Sequence, residues 1–191
     1  MNPVCPRCGW CRGAPQTVEV YRWLLGASIG SARVAFAGDS AGAALVVNAQ
    51  PRAREPGLPP PAAALLISPW VDPEAGGGTY RTNAETDGYF YRDLVALMAG
   101  LYPGPGGDPR DPTANPPHAD LTGLAPMYVR AGGHETLLDD GRALVERAGE
   151  AGLDVFDGQV HTFRMAAGRS PEADDAIRRL AGWVRPGLGL A

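Results

Sequence analysis

The chain has 191 residues, room for one domain that buries about 70% of its unfolded surface. Its net charge is −4 at pH 7 and it carries no basic stripe, which excludes nucleic acid as a partner. Its 26 Gly and 19 Pro approach low-complexity content, but apolar segments with clear periods run between them, which excludes disorder.

Residues 1–15 are Cys-, Arg-, Gly- and Pro-rich and show no period, so they read as a tail before a domain spanning residues 16–191. Residues 17–25 (TVEVYRWLL) place Val20, Trp23 and Leu24 at helical spacing. Residues 33–38 (RVAFAG) form a short apolar run ending in Gly, the pattern of a buried strand, and residues 41–49 (AGAALVVNA) a following helix. A Pro-rich loop over residues 52–61 leads to a second buried strand at residues 62–68 (AAALLIS). Residues 72–88 are polar and turn-rich, and residues 93–101 are helical in pattern. A loop over residues 103–117 precedes a third strand at residues 126–131 (PMYVRA). Asp139 or Asp140 is placed to cap a helix running to about residue 152. A four-residue strand (LDVF, residues 153–156) and a last helix (residues 173–184) complete the pattern. Alternation of this kind predicts an α/β fold, a mostly parallel sheet of about four strands covered by helices. The longest apolar stretch, residues 62–71, is broken by Ser68 and Pro69 and falls far short of the roughly 20 residues of a membrane span.

Gly38-Asp39-Ser40-Ala41-Gly42 is G-x-S-x-G, set between an apolar strand and a small-residue helix. A sharp turn there pushes one hydroxyl into the open, and small neighbours avoid collision with strand and helix. Ser40 is the candidate nucleophile. The N–H of Ala41, at the helix N-terminus, would face a developing oxyanion. Asp39 is expected to hold the turn through local backbone hydrogen bonds. Trp70 and Asp72 follow a strand C-terminus, where open sheets build their sites, so Trp70 is a candidate pocket wall or a core aromatic. Tyr89, Phe90 and Tyr91 stand between the same two roles.

GDSAGAALVV, LLISPWVDP, YVRAGGHETLLDDGRALVERA and DGQVHTF, in that order, resemble the hormone-sensitive-lipase-like branch of the α/β-hydrolases. The resemblance covers about residue 18 to the C-terminus and implies hydrolysis of short- to medium-chain acyl esters with no metal or organic cofactor. It implies His161 as the base, since DGQVHTF places a histidine just before an aromatic; His118, in a Pro-rich loop, and His134, beside a strand end, are read as structural. It implies an acid at the strand tip, where Glu135 stands, with Asp139 as the alternative. A His-Gly-Gly loop that the family carries upstream is missing, since only 39 residues precede Ser40. The expectation is therefore the C-terminal part of the fold, with upstream strands absent and the nucleophile strand on a bare edge. Such an edge would favour a homodimer. Loss of an oxyanion donor costs about 10²–10³ in rate, so impaired turnover is expected.

Cys5, Cys8 and Cys11 form two overlapping C-x-x-C units. With no fourth ligand nearby they are expected to hold no metal, and a non-native extension is the preferred reading over a small zinc module. No other cysteine exists to form a disulfide and no apolar signal region opens the chain, so a cytoplasmic location is expected. The alternative to a serine carboxylesterase is a non-catalytic hydrolase remnant that binds a partner protein.

Overall fold

The computed structural model describes residues 9–101, 108, 110–112 and 115–190. Four strands, β1 (Ala35–Asp39), β2 (Ala63–Ile67), β3 (Met127–Gly132) and β4 (Ala151–Phe156), form one sheet in the order β1-β2-β3-β4. Every pairing is parallel, with Asp39 opposite Ile67, Ile67 opposite Arg130 and Arg130 opposite Asp154. The central strands are buried on both faces, which is why they read as largely apolar runs, broken only by Arg130 in β3.

Helices α1 (Gly9–Gly26), α2 (Ala41–Arg54) and α5 (Leu138–Arg147) cover one face. There Val18, Tyr21, Phe36, Val47, Leu66 and Leu144 join the largest apolar cluster. Helix α6 (Pro171–Gly187) covers the other face, where Val184 meets Leu65 and Tyr128, and Ala173 and Ala176 meet Phe156. Its start follows from local chemistry: Ser170 accepts the N–H of Ala173 and Pro171 occupies the first turn. Two shorter helices, α3 (Thr79–Thr82) and α4 (Arg92–Leu101), lie between β2 and β3.

Several expectations change. Helix α1 begins at Gly9, so the expected boundary at residue 15 falls inside a helix, and Ala14 is buried. Its buried stripe is Ala14, Val18 and Tyr21, while Val20 and Trp23 face outward. Helix α2 runs on to Arg54, into the expected loop, and β4 has six residues where four were expected. Neither Asp139 nor Asp140 caps α5: Leu137 holds that position, and both acids lie within the first turn. Cys5 and Cys8 lie outside the described residues, and among the described residues no group of three His, Cys, Asp or Glu could hold a metal ion. No described helix is long and apolar enough to cross a membrane.

β1 pairs only with β2 among the described residues. Beside its free edge an open groove of about 560 Å³ is lined by Thr17, Val20, Phe36, Ala37 and Leu45.

Candidate active site

Ser40 sits between β1 and α2 with φ 54° and ψ −121°, an unfavourable backbone for a residue with a side chain. The surroundings hold it there. Its N–H donates to the Ile67 carbonyl (2.9 Å), and its own carbonyl accepts from Ala43 (3.0 Å) and Trp70 (3.2 Å). The turn needs glycine at position 38, because a Cβ there would stand 2.2 Å from the carbonyl oxygen of Gly42. Ala41 opens α2, and the first N–H groups of a helix have no intrahelical acceptor.

His161 lies after β4, 121 residues further along the chain, yet its Nε2 is 3.1 Å from Ser40 Oγ. Its Nδ1 is 3.0 Å from Glu135 Oε2. Glu135 is fully buried, in the turn between β3 and α5, and His161 is 3% exposed. The other carboxylate oxygen, Oε1, accepts the N–H of Gly132 and the hydroxyl of Ser68 (3.0 Å). A side chain at Gly132 would collide with the Gln159 carbonyl at 2.3 Å, so glycine lets the loop carrying His161 close against β3. The structure thus brings Ser40, His161 and Glu135 into one hydrogen-bonded line. Asp139 is elsewhere: its Oδ2 accepts the N–H of Thr79, its Oδ1 pairs with Arg142, and its N–H donates to Thr79 Oγ1. Burial would raise its pKa, but the bonds from Thr79 and Arg142 prevail and hold it below the usual carboxylate range.

The other histidines are outside the line. His118 pairs with exposed Glu74 at 3.0 Å, and the backbone of His134 bonds to Gln159. Asp39 makes a fork with Arg164 where local backbone bonds were expected: Nε and Nη2 donate to Oδ2 at 2.9 and 2.6 Å. Trp70 is 8% exposed and packs in a buried cluster with Tyr80 and Leu137, which Ala41 and Phe90 flank. Phe90 meets the His161 ring edge-on at 4.4 Å, while Tyr89 and Tyr91 face solvent.

Three supporting residues were not anticipated. Ser68, at φ 45°, donates to Glu135 and accepts the N–H of Thr162 (3.1 Å). Asp87 accepts the N–H and hydroxyl of Thr136, beside Glu135, and the N–H groups of Tyr89 and Phe90. Asp140 accepts from the N–H groups of Val71 and Asp72 and from the Tyr80 hydroxyl. Burial pushes its carboxyl up to about 8, against the pull of those bonds. Ser68 stands in the LLISPW segment at a strand end, a position that could have marked it. The bond from Thr136 to Asp87 and the acceptor role of Asp140 depend on contacts 49 or more residues distant.

A parallel sheet between helices, a strained serine at a strand-to-helix turn and a histidine loop after the last strand define an α/β hydrolase. The family model Abhydrolase_3, described as alpha/beta hydrolase fold, matches residues 10–165, and the chain belongs to that family. It is similar to an acetyl-hydrolase of Streptomyces hygroscopicus, 38% identical over 90% of this chain and 58% of that one. An esterase of Acinetobacter venetianus is 30% identical over 94% of this chain and 60% of its own. Among solved structures, an esterase from the bacterial hormone-sensitive lipase family superposes with a TM-score of 0.89 at 43% identity, covering 92% of this chain and 60% of that one. The chain therefore spans about 60% of the length of the relatives it matches.

Proposed function

We propose that the protein is a serine carboxylesterase acting on short- to medium-chain acyl esters. Ser40 is the nucleophile, His161 the general base and acid, and Glu135 the carboxylate that orients the imidazole. The observation that carries this reading is the unbroken line from Ser40 Oγ through His161 to Glu135, with links of 3.1 and 3.0 Å.

In this mechanism Ser40 Oγ attacks the acyl carbon while Nε2 of His161 takes its proton. The oxyanion that forms is held by N–H groups at the start of α2, that of Ala41 first. Collapse breaks the ester bond, and the imidazolium returns the proton to the leaving alkoxide. Water then attacks the acyl-enzyme with His161 again as base, releasing the acid and restoring Ser40. Glu135 fixes the Nδ1–H tautomer of the neutral His161 and stabilises the imidazolium once it forms, and Ser68 and Gly132 in turn fix Glu135. Relatives named esterase and acetyl-hydrolase support the same chemistry.

Hydrolysis of a chromogenic short-chain ester by the protein and by Ser40→Ala tests this. We expect the variant to lose turnover and labelling by a fluorophosphonate. Equal rates from both would instead favour a non-catalytic interaction protein, a reading supported by the free edge of β1. A homodimer through that edge and a cytoplasmic setting, suited to a chain whose cysteines all stand at positions 5, 8 and 11, belong to the same proposal.

A further inference from the structure

The segment that carries His161 is pinned residue by residue to different strands. His161 itself meets Ser40, Glu135 and Phe90. Thr162, at φ 54°, donates its N–H to Ser68, next to β2. Phe163 packs on Phe156 of β4 (5.1 Å) and lies under the guanidinium of Arg130 on β3 (5.3 Å). Arg164 reaches Asp39, the last residue of β1 and the neighbour of Ser40. The left-handed turn at Thr162 sends successive side chains to these separate anchors.

The Arg164 anchor differs from the rest. β1 and β4 are the two outer strands of the sheet, so the Ser40–His161 distance depends on elements with no direct pairing. Arg164 and Asp39 join those elements directly across 125 residues, and both donors of the fork fall on one carboxylate oxygen. The pair is about 28% exposed on each side, sheltered enough to hold its geometry better than a surface ion pair. Below it, Arg130 is fully buried, and its three guanidinium nitrogens have no hydrogen-bond partner among the described residues. Burial lowers its pKa, and the nearby positive charge of Arg164 adds to this, while Asp39 and Asp154 act the other way. Asp39 therefore faces two cations on one side of the sheet, and removing Arg164 leaves its carboxylate near Arg130.

We infer that Arg164 is a positioning residue: its fork on Asp39 ties the histidine loop to the nucleophile turn and sets the reach from His161 to Ser40. The inference rests on the esterase reading for its kinetic consequence but not for its geometry. The test therefore measures both turnover and the low-field proton resonance of the His161 N–H held on Glu135, which requires no substrate. In Arg164→Ala we expect kcat to fall on the order of 10- to 100-fold, the scale of a misplacement near 1 Å. KM should change by less than about 3-fold, since the anchor touches no substrate. The low-field resonance should broaden or shift. Asp39→Asn should behave alike, and the double variant should be no worse than either single one. Arg164→Lys keeps the charge but cannot fork, and should recover part of kcat.

Unchanged kcat and resonance in Arg164→Ala would overturn the inference, as would a loss matching only the unfolded fraction. Should Arg164→Ala fail to fold, Arg164→Lys decides: reduced kcat at a native melting temperature supports the anchor, and full kcat refutes it. Wild-type protein with a normal resonance and no ester turnover would refute the esterase reading, leaving the resonance of the variants to judge the anchor.

Discussion

The C-terminal ends of the strands and the outer edge of β1 are built to different standards. At the strand ends, buried carboxylates are hydrogen-bonded, although among the described residues Arg130 of β3 is not: Glu135 accepts from Ser68 and Gly132, Asp87 from Thr136, and Asp140 from Val71 and Asp72. Of the five non-glycine residues with positive φ among the described residues, three, Ser40, Ser68 and Thr162, gather there and hydrogen-bond to their surroundings; Ser28 and Ala75 are the others. Along β1 the edge opens onto an apolar groove, and Val20 of α1, 58% exposed, lines it. Strain persists only where neighbours over-determine it, so the fold's constraint is concentrated where the proposed chemistry happens. Among the described residues no strand pairs with the outer edge of β1, and residues 35–39 carry no positive φ.

The sharpest way to break that comparison is Glu135→Gln. The amide can keep its carbonyl toward Ser68 and Gly132 only by turning its NH₂ toward His161 Nδ1, which forces the wrong tautomer. We expect kcat to fall by about 10⁴ with little change in melting temperature. A rate near wild type would remove Glu135 from the mechanism. Gly38→Ala strikes the same end through the backbone: the new Cβ would need the Gly42 carbonyl, 2.2 Å away, to move. We expect a loss of about 3 kcal/mol or more in denaturant unfolding, because backbone cannot yield as a side-chain tip does.

Much of this end could be read in the sequence, for identifiable reasons. Buried parallel strands appear as apolar runs, and the serine turn demands small residues at fixed offsets, so β1, β2, β3 and Ser40 stood out. Ala151 and Gly152 carry no strand propensity, and β4 was therefore expected two residues short; their place is set by pairing with Met127 and Tyr128. The capping rule misplaced Asp139 and Asp140 because tertiary donors recruited them: Thr79 took the first, Val71 and Asp72 the second. Trp23 has helical spacing but lies off the buried stripe, and periodicity alone does not say which of several apolar rows faces the sheet. The bond from Arg164 to Asp39 leaves no local trace, since its partners are 125 residues apart.

Ser68→Ala is a milder probe. It removes a donor from Glu135 and leaves the Thr162 N–H without that acceptor, so a cost of about 1–3 kcal/mol is expected, with a fall in kcat of roughly 10-fold. Stability unchanged in urea titration would mean that water replaces the hydroxyl. Asp140 gives a subtler signature. Its folded carboxyl titrates near 8, above the unfolded value of about 3.9, so between these pH values the folded chain binds a proton that the unfolded chain has released. Stability therefore falls as pH rises through that window, by at most about 1.4 kcal/mol per unit, and Asp140→Asn should flatten this component. Unfolding free energies at pH 5, 6.5 and 8 for both proteins would check it; an identical slope in the variant would assign the effect elsewhere.

The smallest effect is expected at the edge. Trp23 is 68% exposed and Val20 58%, and neither belongs to the buried stripe of α1. Val20→Lys should leave the denaturation midpoint equivalent to within about 0.5 kcal/mol, the range of ordinary surface substitutions. The same change places a charge beside the free edge of β1, where inward or flanking lysines oppose strand-to-strand association. If copies of the chain pair through that edge, sedimentation should show the variant shifted toward monomer at equal concentration. If wild type and variant sediment alike, the edge is not where copies meet. A destabilisation well above 0.5 kcal/mol would show instead that α1 is held by its outer face as well as its inner one, and the contrast between the two regions would narrow.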